Sequence, residues 1–285
     1  MVNDSLPDNE ALCLQVLQET DRERYLASLL TPADARAAVV ALYAYNAELA
    51  RVRDVVREPL PGEVRLQYWR DLLEGSAHGE TAANPVAAEL LRAMAKYRLP
   101  VAPLVSMADA RIFDLYDDPM ETAAMFEGYA GETAAALMQL VALVLDAAAA
   151  EQATDIAGHA GVALAVAGAL LLMPIHRARG QVYLPTQILV SVGLDRDAFL
   201  AGVDAERMTA AIQAFAGFGL DHLRKARAAG SIPKRLLPAF LPATLAEPVL
   251  KRAMKVGHAC LTTDIRPPQW RRQLSMMRLL LTGRL

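Results

Sequence analysis

With 285 residues, 54% of them hydrophobic and 21% charged, the chain has enough apolar content to bury a large core as one helical domain or two smaller ones. The start, MVNDSLPDNEALC, is acidic where a secretion signal would be basic. The longest uncharged run, about 16 residues closed by Pro174, is short for a membrane span. Cys13 and Cys260 lie far apart with no Cys/His spacing around them. That argues against a zinc site or a disulfide framework and fits a reducing compartment, so the expected location is cytoplasmic. The net charge of −3 is unevenly spread: residues 221–285 hold 13 Lys/Arg against 3 Asp/Glu. A basic quarter of this kind suits an anionic membrane surface, at the inner face of the membrane, or an acidic partner. It equally suits an acidic face of the same fold. Nucleic acid is not expected, because no binding motif accompanies the charge.

In chain order, the first clear start signal is Thr31-Pro32-Ala33-Asp34, an N-cap residue followed by proline. Beyond it Val39, Leu42, Tyr43, Leu49, Val52 and Val56 recur at helical steps and predict an amphipathic helix over 36–56. Further helices are expected at 63–75, 84–97, 101–116, 120–147, 151–173, 204–229 and 246–261. EPLPGE, RLPVAP, YDDPM and GSIPKR punctuate them. A last helix over 268–282 places Trp270, Leu274, Met277 and Leu281 on one face near several arginines. That face suits either a lipid surface or the core, and core packing is the ordinary use of such a stripe. No strand pattern, internal repeat or linker is apparent. The expectation is a single all-α domain over 1–285, with an N-terminal extension at 1–18 and a basic helical part at 221–285.

Four stretches carry a resemblance: ALYAYNAELARVRD (41–54) preceded by Arg36, RLQYWRDLL (65–73), YAGETAAAL (129–137) and RGQVYLP (179–185). Together they resemble the squalene/phytoene synthase family from about residue 20 to 225. The resemblance implies an isoprenoid-synthase-like helical bundle around a central cavity. It also implies head-to-head condensation of two prenyl diphosphates, with Mg²⁺ held by two aspartate-rich helices. Such chemistry needs carboxylates at i and i+4, on one helix face, to hold the hard cation that neutralises a leaving diphosphate.

Those carboxylates are largely missing. By that resemblance, aligned through Leu42 to Tyr45, the family's first aspartate motif falls on Ala50, Arg51 and Asp54; counted back from Gly180 to Pro185, the second falls on Gly168, Leu172 and His176. Leucine ligates nothing and a lone imidazole suits Mg²⁺ poorly, so neither a metal nor another cofactor is expected. NAELARVRD (46–54), GEVRLQYWRD, YAGET and MPIHRARGQVYLP together resemble a non-catalytic subgroup of the family. That closer resemblance implies a role in assembly of the respiratory NADH dehydrogenase, with a subunit or assembly intermediate as partner and a lipid or isoprenoid as ligand.

By the same resemblance Tyr43, Tyr129 and Tyr183 line a cavity, although aromatic residues at helical spacing usually belong to the core. Arg36 and Arg179 are the candidates for an anionic head group, because guanidinium matches phosphate bidentately. Asp54, among Arg51, Arg53 and Arg57, reads as an ion-paired helix residue, and Asp114, Asp117 and Asp118 before Pro119 as turn residues. His176 suits a helix end. The alternative is an active Mg²⁺-dependent prenyltransferase with relocated ligands drawn from Glu48, Asp54, Glu132 and the DLYDD cluster.

Overall fold

The computed structural model describes residues 9–76 and 83–285, and all regular structure among them is helical. The first eight residues of the expected N-terminal extension lie outside that description. The chain begins with α1 (Asn9–Thr20), α2 (Arg22–Leu29), α3 (Ala33–Val55), α4 (Pro59–Leu73), α5 (Pro85–Tyr97) and α6 (Val101–Ala110). Next α7 (Ala123–Ala130) passes through a π-helical turn at Gly131–Ala135 into α8 (Ala136–Leu145), and α9 (Ala147–Gln152) follows. The remainder is α10 (Thr154–Leu171), α11 (Met173–Ala178), α12 (Thr186–Ser191), α13 (Arg196–Ala201), α14 (Ala205–Ala228), α15 (Leu237–Phe240), α16 (Ala246–Val256) and α17 (Gln269–Thr282). The chain divides into two compact units, one of residues 1–116 and 136–151, the other of 117–135 and 152–285.

The first unit is built on α3, which α1, α5, α4 and α8 surround. An amphipathic helix was expected here, yet every residue from Ala38 to Ala47 is buried, as befits a helix enclosed on all sides. Its Tyr45 hydroxyl donates to the Leu104 carbonyl at 2.8 Å, and the ring meets Trp69 edge-on at 5.1 Å. Helix α1 buries Cys13 and Leu17 and packs on α3 and α5, so from Asn9 onward it is part of the core of this unit. The start of α5 follows local chemistry: the Asn84 side chain accepts from the Val86 and Ala87 amides at 3.1 and 3.2 Å, and Pro85 fills the first turn.

In the second unit α10, α14 and α16 pack against one another. The α10–α14 contact is close because Gly219 faces Val166, where a Cβ would stand 2.9 Å from a side-chain methyl. Likewise Gly161 of α10 lies against the π turn, and a Cβ there would come within 2.4 Å of the Ala135 Cα. Two stretches, 123–145 and 154–171, are long and apolar enough to cross a bilayer by length and composition. In the most apolar 18-residue window of each, 56% is buried within the protein, as in a core helix.

Several boundaries differ from the sequence reading. The helix expected over 101–116 stops at Ala110, and a 3₁₀ turn over Phe113–Leu115 follows, pinned by an Arg111–Asp114 pair at 3.0 Å. The helix expected over 246–261 stops at Val256 because Gly257 turns the chain at φ +56°. The helix expected to end at 173 ends at Leu171, and Pro174 sits in the first turn of a new helix, α11, where its missing N–H costs nothing. The stripe of α17 expected to join the core faces outward; the opposite residues Met276 and Leu279 are the buried ones, on the side that meets the 3₁₀ turn at Leu241–Leu245. Both cysteines are buried thiols, and burial pushes that of Cys260 up to about 11.

Candidate functional site

The first degenerate motif lies in the last two turns of α3. Ala50, Arg51 and Asp54 are exposed there, and Arg51 pairs with Glu48 of the preceding turn at 3.5 Å. Together with Val52, Val55, Arg65 and Trp69, Arg51 and Glu48 line a shallow groove. The donor set does not fit Mg²⁺: of the three motif positions one is a methyl, one a cation and only Asp54 a carboxylate.

Two turns earlier on the same helix, Tyr43 is fully enclosed. Its hydroxyl has no hydrogen-bond partner among the described residues. Burial drives the phenol far above its ordinary ionisation range, although the Arg24 guanidinium, 5.9 Å from the ring centre, acts the other way. Arg36, the head-group candidate of this unit, spends Nη2 on the Thr31 and Leu29 carbonyls at 3.0 and 3.5 Å, across the α2–α3 turn.

In the second unit, Gly168 and Leu172 close α10 and His176 rides on α11. None of the three is a carboxylate, so this position also fails as a Mg²⁺ ligand set. The chain then reverses at Gly180, at φ +74°, where the Gln181 amide returns to the His176 carbonyl at 2.9 Å. Arg196 holds the reversal by donating to the Gly180 carbonyl at 2.7 Å. That turn brings Tyr183 onto His176, with ring centres 4.4 Å apart, and Tyr129 lies 6.1 Å beyond Tyr183. Three residues singled out from sequence are thereby assembled, while Arg179 of the same segment is exposed.

Sequence reasoning missed what the aromatic series leads to. From Tyr129 it continues through Phe126 and Phe218 to His222, each ring within 6.5 Å of the next. His222, only 3% exposed, meets Glu127 Oε1 through Nε2 at 2.9 Å and the Nδ1 of His159 through its own Nδ1 at 3.1 Å. One proton fits between the two Nδ1 atoms. With Nε2–H donating to the carboxylate, His222 accepts from His159. Burial holds the pKa of His222 below its ordinary value, and the bond to Glu127 opposes that shift. Glu127, His159 and His222 come from α7, α10 and α14, and no local spacing links them. Among the described residues no three His, Cys, Asp or Glu side chains form a group able to hold a metal ion.

The architecture is that of the isoprenoid synthases. A solved dehydrosqualene synthase matches 95% of this chain and 95% of its own with a TM-score of 0.75 at 16% identity. A squalene synthase from Alicyclobacillus acidocaldarius matches 96% and 94% with a TM-score of 0.64 at 17% identity. The family model for squalene/phytoene synthase matches residues 17–278, and the chain belongs to that family. Its similar relatives include the NADH dehydrogenase (ubiquinone) complex I assembly factor 6 of Rattus norvegicus, 33% identical over 88% of this chain and 75% of that protein. The protein of that name from Homo sapiens is 33% identical over 86% and 73%.

Proposed function

We propose that this chain is a catalytically degenerate member of its family that acts in assembly of the respiratory NADH dehydrogenase and binds a subunit or assembly intermediate, with a lipid or isoprenoid as ligand. One observation carries the first half of that reading: Ala50, Arg51, Leu172 and His176 stand where Mg²⁺-binding carboxylates would be needed. Diphosphate departure relies on positioned positive charge, and a metal site reduced to Asp54 supplies too little negative charge to hold it. The relatives named as complex I assembly factors, at about a third identity over most of the chain, support the second half.

The purified protein supplied with farnesyl diphosphate and Mg²⁺ is expected to release no diphosphate above the rate without protein. Turnover that disappears in Asp54→Ala would establish the active prenyltransferase instead. In cells, deleting the gene is expected to lower assembled NADH dehydrogenase and leave squalene and carotenoid levels unchanged. The opposite pattern would overturn the assembly role.

A further inference from the structure

We propose that α17 is a docking helix that lays its outward stripe into the surface of an anionic lipid bilayer. Trp270, Leu274, Met277 and Leu281 are 60%, 61%, 45% and 82% exposed. Their spacing of four, three and four residues gathers them within an arc of about 60° on the helix surface. Met276 and Leu279, on the opposite side, are buried, so the helix is held to the protein by one face while a second apolar face looks out. An exposed stripe of four large side chains is beyond the scatter of single apolar residues on an ordinary surface.

Charge identifies the occupant. Five arginines (Arg266, Arg271, Arg272, Arg278 and Arg284) and no acid lie between Ile265 and Leu285. Arg271 and Arg278 are exposed and sit about 70 to 90° round the helix from the centre of the stripe. That is where guanidinium groups reach lipid phosphates while the stripe sinks among acyl chains. Arg271 lies over the Trp270 ring at 5.0 Å, pairing a cation with the aromatic type favoured at the membrane boundary. A second copy of this chain would set arginines against arginines across a two-fold axis. An anionic bilayer satisfies both the apolar face and its cationic flank, and the inference holds whether or not the protein assembles a respiratory complex.

The full chain offers its own probe, because its other tryptophan, Trp69, is 5% exposed. With vesicles of phosphatidylcholine and phosphatidylglycerol, the protein is expected to co-sediment and its tryptophan emission to shift to the blue. Phosphatidylcholine alone should leave it in solution, and salt should release it as the attraction is screened over about 8 to 10 Å. Arg271→Gln with Arg278→Gln is expected to weaken binding roughly 10- to 30-fold. Leu274→Gln with Leu281→Gln should abolish the blue shift while circular dichroism and the unfolding midpoint stay unchanged, since both side chains are exposed. Equal binding to neutral vesicles, binding indifferent to the stripe substitutions, or a concentration-dependent dimer that ignores vesicles would each overturn the proposal. These outcomes are read on purified protein and are independent of the cellular level of NADH dehydrogenase.

Discussion

Tyr43 and Tyr45 stand two residues apart on α3, both enclosed, yet among the described residues only Tyr45 has a partner for its hydroxyl, the Leu104 carbonyl. Tyr45→Phe is therefore expected to cost about 1 kcal/mol in urea unfolding, the usual net worth of one hydrogen bond. Tyr43→Phe removes a hydroxyl that gains nothing in the folded state, so its midpoint should hold or rise. His222 gives a pH counterpart. Unfolded, it titrates near 6.5; folded, burial holds it lower. Above about pH 7 both states are neutral and stability is complete. As pH falls below the unfolded value the unfolded chain takes up the proton first, and stability drops until the folded histidine also titrates. The melting temperature should decline as pH falls through about 6.5, and His222→Gln should flatten that decline.

Two glycines of α10 separate packing from propensity. Gly161→Ala would drive a methyl into the backbone of the π turn and is expected to cost about 1–3 kcal/mol. Gly168→Ala meets nothing within 4 Å and should stabilise by about 0.5–1 kcal/mol through helix propensity alone. Paired urea titrations of the two variants give opposite signs if the contacts are as described. The long helices were legible in the sequence because their apolar period and start signals are local. The short helices α12 and α13 were not legible. Six residues make a poor helix unaided, and here distant arginines complete them: Arg177 donates to the Leu200 and Ala201 carbonyls in the last turn of α13, and Arg207 to the Gly193 carbonyl after α12. The loss of metal ligands was likewise readable position by position, whereas the Glu127–His222–His159 chain, joining residues up to 95 apart, exists only once the helices have packed.

At the scale of the molecule, the net charge and the charge of the C-terminal region have opposite signs. The chain carries −3 overall, with 13 Lys/Arg against 3 Asp/Glu after residue 220. Some of those cations are engaged within the second unit, such as Arg227 and Lys251 on Glu247, while Arg266, Arg271, Arg278 and Arg284 are exposed. The protein is therefore expected to be retained on a cation exchanger at neutral pH despite a pI near 6.0. Arg271→Gln with Arg278→Gln should elute at lower salt; flow-through of the native protein would mean that acidic surface masks the basic region.

The two cysteines bear on how that surface can be observed. Cys13 and Cys260 are both buried away from reagents, and burial also pushes the Cys260 thiol up to about 11, so neither offers a reactive thiol at the surface of the folded protein. The folded protein is in effect a cysteine-free background. A single cysteine introduced by Leu281→Cys would then be the one site to take a maleimide or nitroxide reporter, allowing immersion depth to be measured residue by residue without first removing a native thiol.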